Sequence, residues 1–183
     1  EGEEALLCEL LLRWRETYPS LFLVLVPRHF ERAKAVMELL DSTGLKIARR
    51  SQLESAPENP DVLLVDTTGE LNAFYEVATL VFIGKSLTAQ GGQNPIEPAA
   101  LGKPIIFGPF MQNFREVVTS LLDAKGAVQV ASEAELEDKI NELLGNSEHC
   151  AELSSAAMSV VEANKGATQR TAQLVGQTLR ALE

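Results

Sequence analysis

Residues 91–108 read Gly-Gly-Gln-Asn-Pro-Ile-Glu-Pro-Ala-Ala-Leu-Gly-Lys-Pro-Ile-Ile-Phe-Gly, an order that suits a ligand site. Gly91 and Gly92 free the backbone, Asn94-Pro95 opens a helix, and Ile96-Glu97 lie in its first turn. The helix stops at Gly102, and a buried strand runs from Ile105 to Phe107 after Pro104. Unpaired N–H groups at such a helix start, together with the helix dipole, favour an anion. Glu97 at the same mouth has the chemistry to accept hydrogen bonds from a sugar diol. Phosphate beside sugar hydroxyls describes a nucleotide-sugar. A Gly-Pro loop that merely caps an ordinary α/β helix would be spelled the same way, and these residues alone leave both readings open.

Two further loops carry chemistry. Pro27-Arg28-His29 follows a buried strand, so the Arg28 guanidinium emerges at its rim, a fork suited to phosphate or carboxylate. The competing reading is a solvated arginine paired with Glu31. Thr67-Thr68-Gly69-Glu70-Leu71 fits a capping box, with Thr67 as N-cap and Glu70 reaching back. The glycine between them permits a ligand to approach the backbone. Gly84-Lys85-Ser86 lacks the earlier glycine of a Walker loop, Thr79 standing in its place, and no G-x-G-x-x-G occurs, so ATPase and NAD readings fail. His29 and His149 are the only histidines and neither sits in a catalytic motif. Acidic pairs such as Glu3-Glu4 read as solvated helix faces, and Trp14 as packing.

These loops need a scaffold, and the alternation of elements supplies one. A helix over 3–17, a strand over 21–26, a helix over 31–42 closed by Gly44 and a strand over 46–49 come first. A surface loop over 51–61, a strand over 62–65, a helix over about 71–78 and a strand over 80–83 follow. After the strand at 105–107 come a helix over 114–123, a strand over 128–130, a helix over 133–144 and C-terminal helices from about 147 to 183 divided near 164–166. That pattern predicts a Rossmann-like parallel sheet with helices on both faces, in one domain spanning 1–183. Ligands of such sheets bind beyond the carboxyl ends of the strands, where the loops at 27–29, 66–71 and 84–94 all lie.

Composition narrows the class. The chain has 183 residues, 45% of them hydrophobic, and a net charge of −10. That excludes a nucleic-acid surface and requires local devices to hold any anionic ligand. Cys8 and Cys150 have no metal spacing and read as structural thiols in a reducing compartment. No apolar run is long enough to span a bilayer. Beginning at Glu1 without Met, the sequence reads as a soluble piece of something longer.

Six ordered motifs then carry a resemblance: Val26-Pro27-Arg28-His29, Arg49-Arg50-Ser51, Asp66-Thr67-Thr68-Gly69-Glu70-Leu71, the turn from Gly84 to Leu87, Gly91-Gly92-Gln93-Asn94-Pro95-Ile96-Glu97, and Asn113-Phe114-Arg115-Glu116. From Gly2 to about Val130 the chain resembles the C-terminal half of the 3-deoxy-D-manno-octulosonic acid (Kdo) transferases. The resemblance implies the C-terminal, donor-binding domain of a GT-B glycosyltransferase, with the N-terminal acceptor domain absent from this sequence. It implies transfer of Kdo from CMP-Kdo to lipid A precursor at the cytoplasmic face of the bacterial inner membrane, without metal or other cofactor. The CMP-binding positions it implies are Pro27, Arg28, Gly69, Glu70, Leu71, Asn94, Pro95, Ile96 and Glu97. The catalytic base, the membrane anchor and most acceptor contacts fall in the N-terminal domain, so no catalytic residue is expected here. The family commonly has Pro where Phe30 stands, Gly where Lys85 stands and His where Gln93 stands; Gln93 keeps a hydrogen-bonding side chain without charge. The resemblance also implies that the chain begins just after the family's first strand of this domain, which would leave an unpaired sheet edge or a gap. Rival readings are a GT-B domain for a UDP- or GDP-sugar and a non-catalytic interaction domain of the same fold.

Overall fold

The computed structural model describes residues 2–28, 32–166 and 177. Its elements alternate as expected: α1 Glu3–Thr17, β1 Leu23–Leu25, α2 Ala33–Leu40, β2 Ile47–Arg49, β3 Val62–Leu64, α3 Leu71–Val77, β4 Val81–Ile83, α4 Ile96–Ala100, β5 Ile105–Phe107, α5 Arg115–Asp123, β6 Val128–Gln129, α6 Glu133–Gly145 and α7 Ser147–Asn164. His29, Phe30 and Glu31, and the last helical stretch beyond Gly166 apart from Gln177, lie outside the described residues. Among the described residues no helix is long and apolar enough to cross a membrane.

The strands form two three-stranded parallel sheets, ordered β1-β3-β2 and β4-β5-β6. β1 and β4 are each an edge strand with one ladder partner, β3 and β5 respectively. The expected parallel sheet is thus present as two three-stranded ladders. One helix face spans both. Leu6, Leu7, Leu10, Leu11 and Trp14 of α1 share a core with Leu25, Val62 and Leu64 of the first sheet and Ile106 of the second, closed by α2 and α6. On the opposite side Ile105 and Phe107 pack with Val81 and Ile83 against α4, α5 and α7. Strand side chains alternate between faces, so β5 is apolar at all three positions because both of its faces are covered.

Local chemistry sets the boundaries. Gly44 closes the turn after α2 at φ 73°, the left-handed conformation the sequence suggested. The 51–61 loop begins with 3₁₀ turns over Arg50–Ser55 instead of irregular chain. The reason lies in Asp66, whose Oδ1 accepts the Ser51 N–H at 2.8 Å and pulls the segment back onto the end of β3. Ser132 caps α6 by accepting the Glu135 N–H at 3.2 Å.

Candidate functional site

The strand register places the predicted loops at one edge. Leu25 of β1 and Arg49 of β2 both stand opposite Leu64 of β3, so the chain leaves all three strands at the same level. Pro27-Arg28, Arg50-Ser51 and Asp66 to Leu71 therefore share the carboxyl edge of the first sheet. Ile83 pairs with Phe107, so the 84–97 loop leaves the equivalent edge of the second sheet.

Along the first edge, two arginines are matched to two acids. Arg49 donates from Nε and Nη2 to Asp66 Oδ2 at 3.0 and 2.6 Å, and Ser51 Oγ donates to the same oxygen at 2.6 Å. Burial pushes the Asp66 carboxyl up, but the bonds from Ser51 and Arg49 outweigh it and hold the group below the usual range. Arg50 donates from Nε and Nη2 to Glu70 Oε1 at 3.1 and 2.6 Å. Thr67 Oγ1 donates to Glu70 Oε2, and this bond, then the one from Arg50, lowers the Glu70 pKa.

The capping box is thereby corrected. Thr67 and Glu70 do meet, but side chain to side chain, and α3 starts at Leu71 with Glu70 as N-cap and no side-chain cap bond. Arg50 has claimed the carboxylate that would have reached the backbone. Gly69 has φ 85° with open space where a Cβ would stand, so the turn demands its conformation and no neighbour crowds it. Arg28 is exposed beyond β1; among the described residues no hydrogen bond joins it to the other predicted positions, and its rival partner Glu31 is outside them.

The second edge is built around Asn94. Its Oδ1 accepts the Ile96 N–H at 3.0 Å, and its Nδ2 donates to Glu97 Oε1 at 2.9 Å. The side chain thus fixes both the turn at Pro95 and the aim of the Glu97 carboxylate. The helix they open runs over Ile96–Ala100 and is closed, as the sequence suggested, by Gly102, left-handed at φ 64°. Five residues make a weak dipole, so the anion-attracting argument moves from the helix to the side chains. Glu97 also lies within electrostatic range of Tyr75 on α3: burial, with the Glu97 charge adding, pushes the phenol up to about 12. α3 and α4 also pack against one another, which brings the 94–97 loop to the helix that follows Gly69, Glu70 and Leu71. Tyr75 carried no sequence signal beyond its place on a helix next to the loop.

Glu3 is the larger surprise. Its carboxylate is buried, contrary to the solvated face expected of Glu3-Glu4, and accepts from the backbone N–H groups of Lys85, Ser86, Leu87 and Thr88. Glu4 pairs with Arg32 at 3.2 Å. Cys8 is buried and pushed up to about 11 by that burial, which suits a structural thiol.

A parallel α/β domain with its polar loops gathered at the carboxyl edges of two ladders has the fold of the C-terminal domain of a GT-B glycosyltransferase. Solved structures bear this out: the chain matches the C-terminal domain of a glycosyl transferase group 1 family protein (LpcC) from Francisella tularensis with TM-score 0.62 and 16% identity, covering 89% of this chain and 78% of that one. It matches the C-terminal CMP-Kdo binding domain of WaaA from Acinetobacter baumannii with TM-score 0.81 and 29% identity, covering 88% of this chain and 84% of that one.

Within that class the chain is a relative of the 3-deoxy-D-manno-octulosonic acid transferases. It is 40% identical over 159 residues, 86% of its length, to the 3-deoxy-D-manno-octulosonic acid transferase of Haemophilus influenzae. It spans 37% of that protein's length. No protein-family model matches the chain.

Proposed function

We propose that this chain is the donor-binding half of an inverting glycosyltransferase that moves Kdo from CMP-Kdo to a lipid A precursor at the cytoplasmic face of the inner membrane. The observation that carries the reading is the convergence of Arg28, Gly69 to Leu71 and Asn94 to Glu97 on the carboxyl edges of a fold like that of WaaA's CMP-Kdo binding domain. In this reading Arg28 pairs with the CMP phosphate, the backbone and side chains at 69–71 and 94–96 seat the nucleotide, and Glu97 accepts from the ribose hydroxyls. Asn94 holds Glu97 Oε1, which leaves Oε2 to address the sugar.

A base on the N-terminal domain takes the proton of an acceptor hydroxyl. Its oxygen bonds to the anomeric carbon of Kdo as the bond from that carbon to the phosphate oxygen breaks, and CMP leaves with the electron pair. Charge gathering on the phosphate in the transition state is what Arg28 stabilises. The chain's own donors supply that stabilisation, with no metal in the scheme.

Calorimetric titration of the protein with CMP, UDP and GDP tests the reading. Weak CMP binding is expected, with the other two weaker still, and no sugar transfer by the 183 residues alone because the base is elsewhere. Tighter UDP or GDP binding would move the donor to another sugar nucleotide. An absence of any nucleotide binding would favour a non-catalytic interaction domain.

A further inference from the structure

We propose that Glu3 is a positioning residue for the donor: its carboxylate, seated in a ring of backbone amides, sets the conformation of the loop that delivers Asn94 and Glu97. The proposal rests on the donor-binding reading above and deepens it.

Glu3 is only 6% exposed. A carboxylate so buried must be matched, and the match is a loop 82 or more residues away in sequence. The N–H of Ser86, Leu87 and Thr88 reach it at 3.0, 2.7 and 3.0 Å, with the Lys85 N–H alongside. Successive amides converge in this way where a left-handed residue turns the backbone into a concave nest for an anion. Lys85, at φ 58°, is that residue.

The other side of the loop is clamped as well. Ser86 Oγ donates to Ile83 O at 2.5 Å and accepts the Gly108 N–H at 2.8 Å, while Ser86 O accepts the Phe110 N–H at 2.8 Å. A Cβ on Gly108 would fall 2.2 Å from Ser86 O, so the end of β5 lies flush against the turn. The Gly92 N–H closes the loop on Lys85 O at 2.8 Å, one residue before Gln93 and two before Asn94. Glu3 therefore holds the near side of a loop whose exit is the Asn94–Glu97 pair. The next residue, Glu4, holds Arg32 at 3.2 Å, on the segment that follows Arg28. Two consecutive acids at the start of α1 thus tie together chain leaving β1 and chain leaving β4.

Glu3→Gln keeps the shape but removes the charge and points an amide N–H₂ at backbone donors. Amide hydrogen exchange without nucleotide should speed up at 85–88 in this variant by at least about tenfold, and the Kd for CMP should rise roughly tenfold, the scale of a lost charged acceptor. Glu3→Asp, with the charge on a shorter stem, should keep part of the protection. Glu4→Gln should leave the 85–88 amides as in wild type. In Glu3→Ala, acetate should restore CMP affinity beyond what chloride does at equal ionic strength, because it refills the vacated nest.

Unchanged exchange at 85–88 in Glu3→Gln overturns the proposal, as does faster exchange with an unchanged CMP Kd. Wild-type protein that binds no CMP overturns the function reading instead, and the exchange arm then still decides whether Glu3 pins the loop.

Discussion

Glu97→Gln separates a ribose contact from a helix-start acid with two readouts in one variant. The carboxylate is exposed at the domain surface, so a hydrogen bond from a ribose hydroxyl to it would sit at the low end for charged acceptors, about 1–1.5 kcal/mol. At about 1.4 kcal/mol per decade, the CMP Kd should rise roughly five- to tenfold. 2′-Deoxy-CMP should bind wild type more weakly than CMP and should lose less on mutation. The second readout is Tyr75, whose phenol stands near pKa 12 against an ordinary 10.0, first through burial and then through the Glu97 charge. Removing the charge should bring the phenol down without restoring its ordinary value, since burial remains. Isothermal titration with both nucleotides and ultraviolet titration of the phenolate, read against a Tyr75→Phe control, provide the measurements. Parallel losses for CMP and 2′-deoxy-CMP refute the ribose role, and an unmoved Tyr75 refutes the electrostatic coupling of Glu97 to the phenol.

Four further outcomes follow from the same contacts. Arg28→Ala should weaken CMP by about 1.5–3 kcal/mol and leave cytidine unaffected; equal losses in calorimetry would remove Arg28 from the phosphate. Lys85 adopts φ 58°, so Lys85→Gly should raise urea stability by up to about 1 kcal/mol after the added chain entropy is subtracted, whereas Lys85→Ala should give no such gain. Asp66 has a depressed folded pKa, so it stabilises above its unfolded value of 3.8 and that stability is lost as pH falls through the folded pKa; Asp66→Asn should flatten this acid limb in a denaturation series. Cys8 is raised from 9.0 to about 11, so its contribution is complete below pH 9 and is lost as pH rises through 11; Cys8→Ala should flatten that limb while lowering the plateau.

Periodicity placed the strands at Ile105–Phe107 and Val62–Leu64 and the helix at Glu3–Thr17, because each buries a continuous apolar face whatever its neighbours do. The carboxyl-edge loops were legible for a related reason: glycine, proline and asparagine mark turns by local backbone chemistry. The contacts within them were not. Thr67 and Glu70 are spaced for a capping box, yet Arg50, twenty residues upstream, decides where the carboxylate goes. Nothing local to Glu3-Glu4 distinguishes a solvated pair from a buried acid whose partners are amides at 85–88. The end of α4 at Gly102 was legible, but not that Met158 of α7 packs against that glycine, its sulfur 2.6 Å from where a Cβ would stand. Local chemistry names the turn, and long-range partners choose its geometry.

The three arginines of the first sheet's carboxyl edge illustrate what that choice does for function. In a chain of net charge −10, each is a candidate to hold an anionic ligand. Arg49 and Arg50 are already matched, to Asp66 at 2.6 Å and to Glu70 at 2.6 Å, and so bring little net charge to a ligand. Their forks instead stitch the end of β2 to the loop after β3, beside Gly69 to Leu71, and on the proposed reading would order those residues ahead of a nucleotide. Such ordering lowers the entropic cost of binding. Arg28 has no acidic partner among the described residues, so on this edge it is the guanidinium whose charge a phosphate can use. Of the three, the two adjacent arginines build the edge, and Arg28 is left as the candidate to serve a ligand there.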